Sequence, residues 1–290
     1  MKAFKKKSFL ILLIFITATA GFSQNESYNF YPNGIYEEGI SSPQDFLGFE
    51  PGTQPATNEQ IVAYFQQLAQ SSDRAQLFES GMTHEGYPLY YLIVSSEENI
   101  AQLDEIKEGV AKLADPRLLN SSGEANELIS SSPIITWMMY SIHGNELSGA
   151  DASLQLAYQL VAGKDAVTIK IRENAIVGID PNENPDGRAR TLSQLQQWRG
   201  TVETSDVQSI YHQGMWPGGR TNHYLFDLNR DWFLLTQPET RVRVKIITEW
   251  NPQLVVDAHE MGSYDTYLFN PPREPINPFV HPNIKKWWTT

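Results

Sequence analysis

"SIHGNELSGAD", residues 141–151, directly follows the apolar run "PIITWMMY" at 133–140. A continuous apolar run of that length reads as a strand covered on both faces. Its end delivers His143 and Glu146, three residues apart, to the edge of a sheet. Gly144 and Asn145 lie between them. Both tolerate the backbone angles of a tight turn, so the two side chains can converge. Taken alone, the stretch is either an ordinary turn that contains a histidine or half of a metal site. What else reaches the same edge decides between the two.

Two more apolar runs, "ENAIVGIDPN" at 173–182 and "PQLVVDAHE" at 252–260, read as buried strands, and "SGADASLQLAYQLVAG" at 148–163 reads as an amphipathic helix. Upstream, "TNEQIVAYFQQLAQSS" at 57–72 has apolar residues at helical spacing behind Thr57 or Asn58 as N-cap. "AQLFESGMT" at 75–83 and "YPLYYLIVSS" at 87–96 read as strands joined through "HEG". "NIAQLDEIKEGVAKLA" at 99–114 reads as one helix and the Ser-rich 115–132 as a polar loop. Helices that alternate with apolar strands predict an α/β fold, a mixed and largely parallel sheet sandwiched by helices. Ligands of such sheets bind beyond the carboxyl ends of the strands. His143, Glu146 and His259 all fall there. Two histidines and a carboxylate are a set that catalytic zinc takes while leaving a position open for water.

Composition narrows the choice. The 290 residues are 41% hydrophobic and 19% charged, which predicts a packed core. The chain has no cysteine, so disulfides and thiolate zinc sites are excluded. A net charge of -12 argues against nucleic acid as a partner.

Two stretches between the strands carry further chemistry. "NPDGRARTLSQLQQWRG" at 184–200 opens on a turn signature and runs to Arg199. "FDLNRDW" at 226–232 sets Asn229 and Arg230 side by side. A guanidinium fork binds a carboxylate through two bonds, and an amide adds a neutral donor. The plainer reading of each arginine is a surface charge. Glu260 neighbours His259, but adjacent strand residues point to opposite faces, so it reads as structural. Asp257 shares the His259 face and reads as a partner of that histidine or as core.

In chain order, "HGNE", "NPDG" followed by Trp198-Arg199, "DLNRDW" and "DAHE" resemble the zinc metallocarboxypeptidases, the funnelin-type exopeptidases. The resemblance covers roughly residues 55 to 270. It implies one zinc ion held by His143, Glu146 and His259. It implies that Arg199 polarises the scissile carbonyl and stabilises the oxyanion. Asn229 and Arg230 would hold the substrate's terminal carboxylate, and Asp227 would accept a hydrogen bond from His143. The activity implied is that of a metalloprotease, a hydrolase removing C-terminal residues from peptides with a free carboxylate by zinc-activated water.

The family's general-base glutamate and the tyrosine that closes over substrate are expected beyond residue 290. The catalytic domain, assigned to 52–290, is therefore expected to be truncated at its C-terminus. Two alternatives follow: a cell-wall peptide hydrolase or amide deacylase on the same scaffold, and an inactive zinc- or peptide-binding fragment. Residues 24–51 read as an irregular extension. Residues 1–23 read as a signal peptide, with "MKAFKKKS" as a basic start, "FLILLIFITATA" as an apolar core and "GFS" before the cleavage point. The apolar core is shorter than the ~20 residues of a spanning helix. An exported protein, periplasmic or secreted, without a stable membrane span after cleavage, is the expectation.

Overall fold

The computed structural model describes residues 31–32, 34–201, 204, 206–262 and 276–288. Residues 1–23, which read in sequence as a signal peptide, lie outside the described residues. The chain divides into Met1–Asn33 and Gly34–Thr290, and the second unit carries every element below.

Its strands are β1 (Ala75–Met82), β2 (Pro88–Val94), β3 (Ile134–Tyr140), β4 (Ala175–Asp180) and β5 (Leu254–Ala258). They form one sheet in the order β1-β2-β4-β3-β5. The sheet is mixed, as the pattern predicts. β4, β3 and β5 run parallel, while β1–β2 and β2–β4 are antiparallel. The division has a simple cause. β1 and β2 are joined by a tight turn, which forces an antiparallel pair, whereas helical crossovers separate the last three strands.

The helices are α1 (Pro43–Leu47), α2 (Asn58–Ser71), α3 (Glu97–Ala101), α4 (Leu103–Ala114), α5 (Ser122–Ser131) and α6 (Leu147–Ala162). After them come α7 (Ala166–Asn174), α8 (Pro185–Trp198), α9 (Ile210–Gln213), α10 (Pro238–Trp250) and α11 (Pro282–Trp288). Among the described residues no helix is long and apolar enough to cross a membrane.

Two cores cover the two faces of the sheet. On one, Ile61, Phe65 and Leu68 of α2 and Leu154, Ala157 and Val161 of α6 pack on Leu92, Val177 and Ile179. On the other, Val110 of α4 and Ile246 and Trp250 of α10 pack on Ile93, Ile135, Trp137 and Met139. β3 feeds both, since Trp137 and Met139 point into one core and Met138 and Tyr140 into the other. That is why residues 133–140 show no alternation.

Three local readings are corrected. Residues 99–114 are not one helix: Gln102, at φ −116° and ψ 20°, separates α3 from α4. The polar stretch 115–132 is not a loop; it contains a short 3₁₀ turn at Pro116–Leu118 and then α5, whose first turn is capped by Ser121. α5 buries none of its residues, so it has no apolar stripe to read. "NPDG" is a helix start rather than a free turn: Pro185 opens α8, and the Asn184 side chain accepts from the Gly187 amide.

Candidate active site

The carboxyl ends of the three parallel strands converge. Beyond β3, Ser141 takes a φ of 59°, unusual for a residue with a side chain. Its hydroxyl donates to the Glu146 carbonyl at 2.7 Å, and the Glu146 amide donates to the His143 carbonyl at 3.0 Å. The second bond closes the turn that brings His143 and Glu146 to the same side.

This turn lies directly on the start of α8. A Cβ on Gly144 would sit 2.2 Å from the Arg188 nitrogen and 2.3 Å from the Gly187 carbonyl carbon. A Cβ on Gly187 would in turn meet the Gly219 oxygen at 2.3 Å. Three backbone stretches are therefore layered through glycines. Gly144→Ala is expected to cost about 1–3 kcal/mol, because backbone rather than a flexible side chain would have to yield. Calorimetry checks this, and an unchanged melting temperature would show that the layering is loose. Beside the contact, the fully buried Arg188 donates to the carbonyls of Ala56 and Leu147 and pairs with Asp151 at 3.0 Å.

His143, Glu146 and His259 form a cluster whose candidate ligand atoms all lie within 4.8 Å of one another. His143 Nδ1 is 2.7 Å from Glu146 Oε1, and His259 Nδ1 is 3.2 Å from Oε2. Each ring has a carboxylate on its other nitrogen, Asp227 Oδ1 at 3.2 Å for His143 Nε2 and Asp257 Oδ2 at 3.2 Å for His259 Nε2. With a proton on each Nε2 donated to its aspartate, both Nδ1 lone pairs face Glu146. Two neutral imidazoles and a carboxylate this close match the ligand set and the roughly 2 Å bonds of zinc. His143 and Glu146 are buried and His259 is exposed, so the cluster is open on one side.

Charge within the cluster is arranged around these contacts. When the Nδ1 atoms carry protons instead, burial pushes the Glu146 carboxyl up, but the His143 hydrogen bond, the Glu260 amide and the charges of both histidines outweigh it, and its pKa lies below the ordinary value. Asp227 is also held low, with burial overcome by the Arg220 charge, His143 and hydrogen bonds from Arg220 and the Asn229 amide. For Asp257 burial wins over His259 and Arg243, and the pKa rises.

The loop after residue 226 supplies the rest. Leu228–Arg230 form a 3₁₀ turn, and Asp227 caps it through the Asn229 amide. Asn229 Oδ1 accepts from Trp232 Nε1 at 3.2 Å, which leaves its Nδ2 3.3 Å from His259 Nε2. Both atoms are donors when Nε2 carries a proton, so this is a contact between ligand and clamp candidates rather than a bond. Arg230 is exposed, with Nη1 on the Asn229 carbonyl at 2.8 Å. The structure thus brings His143, Glu146, His259, Asp227 and Asn229 together, with Arg230 on the adjoining turn.

Arg199 is placed differently. It ends α8 and donates to Gln54 Oε1 at 3.0 Å, in an open pocket of about 200 Å³ lined also by Thr53, Trp198, Tyr211 and His212. Among the described residues no hydrogen bond or ion pair joins it to the cluster. Glu260 lies past the end of β5 and is engaged with α6. Its carboxylate accepts from the amide and hydroxyl of Ser148, both at 2.6 Å, in the first turn of α6. One residue at the cluster has no counterpart in the sequence reading. Arg220 donates from Nε to Asp227 Oδ2 at 3.0 Å, and its Nη1 is 3.8 Å from Glu146 Oε1.

The zinc carboxypeptidase family model matches residues 61–283, more than half of the chain and all of the cluster. The chain belongs to the zinc carboxypeptidase family. It is 23% identical to carboxypeptidase 2 of Trichophyton rubrum over 215 residues, 73% of this chain and 30% of that protein. It spans about a third of the length of the curated relatives it matches. Among solved structures, carboxypeptidase A of Helicoverpa armigera is similar at a TM-score of 0.48 and 19% identity, covering 89% of this chain and 54% of that one. A metallo-carboxypeptidase of Burkholderia cenocepacia is similar at 0.45 and 19%, covering 70% and 40%.

Proposed function

We propose that this member of the zinc carboxypeptidase family is an exported metallocarboxypeptidase that hydrolyses the last peptide bond of substrates with a free C-terminal carboxylate. The observation that carries the reading is the convergence of two Nδ1 atoms on Glu146 beside the Asn229–Arg230 turn. His143, Glu146 and His259 would hold one zinc. When bound there, zinc supplies a Lewis acid and a water of lowered pKa.

The chain's own residues do the remainder. Asp227 and Asp257 keep the Nε2 protons in place, which fixes the tautomer and tilt of each ring. Arg230 and the amide of Asn229 take the substrate carboxylate, and this sets the scissile bond one residue inward. Arg199 serves the acyl oxygen only after leaving Gln54, which an exposed arginine with one side-chain hydrogen bond among the described residues can do. Asp227, Asp257 and Glu260 are each held by a histidine or by Ser148, and none of the three is assigned as general base. The basic start and apolar run of residues 1–23 support export; fractionation of the expressing cell tests it.

Arg230→Ala is expected to raise KM for peptides with a free C-terminus roughly 10- to 100-fold, the size of a lost charged hydrogen bond. The same peptides as C-terminal amides should be almost unaffected. Equal effects on both would sink the carboxylate clamp.

A further inference from the structure

We propose that Arg220 is a positioning residue of the metal centre, acting on His143 through Asp227. The inference rests on reading His143, Glu146 and His259 as metal ligands.

The relay is short. Arg220 Nε donates to Asp227 Oδ2 at 3.0 Å. Asp227 Oδ1 takes the Asn229 amide at 3.0 Å and faces His143 Nε2 at 3.2 Å. With a donor on each oxygen, the carboxylate cannot rotate about its own bond without breaking one of them. The orientation of the His143 ring follows from that of the carboxylate. The guanidinium also lies 3.8 Å from Glu146 Oε1, so one cation faces both acidic groups that flank His143.

An arginine on a surface loop would ordinarily wander, and Arg220 is about half exposed. The loop that bears it is built to prevent this. Arg190 of α8 donates to four of its carbonyls: Nη1 to Gly218 at 3.1 Å and Thr221 at 3.3 Å, Nη2 to Asn222 at 3.1 Å and His223 at 3.2 Å. The buried Asn184 donates from Nδ2 both to the Arg220 carbonyl at 3.2 Å and to the Ile142 carbonyl at 3.1 Å, next to His143. Gly219 fits against Gly187 with no room for a Cβ. One side-chain amide thus spans the backbone of the positioning residue and the backbone beside the ligand. Such fixing is idle for a solvated surface charge and necessary for a group that must hold a carboxylate at one angle.

Zinc affinity of the full chain, measured by competition with a chelator, tests the assignment. Arg220→Ala is expected to weaken zinc binding about 10- to 100-fold, the size of losing an outer hydrogen-bond partner of a ligand. Arg220→Lys should recover part of the loss, because an ammonium reaches Asp227 without the fork. The double variant Arg220→Ala/Asp227→Ala should bind zinc no worse than Asp227→Ala alone. Cobalt(II) in place of zinc should show the same change of visible spectrum in Arg220→Ala and Asp227→Ala. Wild-type affinity and cobalt spectrum in Arg220→Ala would overturn the inference, and so would a full Arg220→Ala loss persisting in the Asp227→Ala background. A wild-type chain that takes up no zinc would instead remove the metal reading itself, and the inference with it.

Discussion

His143→Ala is expected to abolish stoichiometric zinc in the purified chain, and His259→Ala to do the same. Each substitution removes one of three protein donors, and Glu146 with a single imidazole is too few for a held zinc. His143→Ala does more, since it leaves Asp227 without its histidine and opens a hole in a site where His143 is only 2% exposed. Metal analysis after dialysis gives the result directly. His212→Ala, whose ring bonds the Thr204 carbonyl and packs on Tyr211, serves as the control that should keep its zinc. One zinc per chain retained in both ligand variants would remove the metal assignment.

Arg188→Ala is expected to lower stability by about 3–5 kcal/mol, the range for removing one partner of a buried ion pair. For a domain of this size that is roughly a 10 °C fall in Tm. Arg188 has no exposed surface, and four donor contacts depend on it: two to Ala56 O at 3.0 and 2.8 Å, one to Leu147 O at 3.0 Å and one to Asp151 at 3.0 Å. Burial already raises the Asp151 pKa against the pull of Arg188, so the orphaned carboxyl would take up a proton rather than remain charged. Replacing both partners, Arg188→Met with Asp151→Asn, should recover part of the loss. A fall of less than about 1 kcal/mol in Arg188→Ala would show that the first turn of α8 is held by its backbone alone.

The parts of the molecule legible from sequence are those with a strong local signature. β3 announces itself because a strand between two cores is almost wholly apolar, Thr136 being the exception within residues 134–140, while β4 and the more exposed β5 show as shorter apolar runs. His143, Glu146 and His259 follow from strand ends, since the end of a parallel strand fixes where the next side chain can go. The sequence reads Asp257 either as a partner of His259 or as core, and the structure sets its Oδ2 3.2 Å from His259 Nε2.

What was not legible depends on distant contacts. α5 buries nothing, and its Ser-rich sequence is as suited to a loop; only the Ser121 cap and its neighbour α4 make it a helix. "NPDG" describes a turn and a helix start equally well until Asn184 is seen to accept from the Gly187 amide. Arg220 sits in an aperiodic loop, where the one local signal is the Gly218-Gly219 pair before it. Its partners Asp227 and Glu146 are 7 and 74 residues away. Arg199 stands at the family's spacing yet bonds Gln54, since motif spacing says where a backbone lies and not which rotamer its side chain takes.

The glycine layering of 144, 187 and 219 bears on how such a cleft can be redesigned. With Cβ-to-backbone separations of 2.2 to 2.4 Å across the two contacts, no segment has slack to accept a foreign neighbour. Transplanting residues 214–225 from another scaffold would import a new rim but not the helix surface it was cut to fit. Specificity in this cleft is therefore modular only at the level of a cassette: the ligand turn, the first turns of α8 and the Arg220 loop would have to be exchanged together.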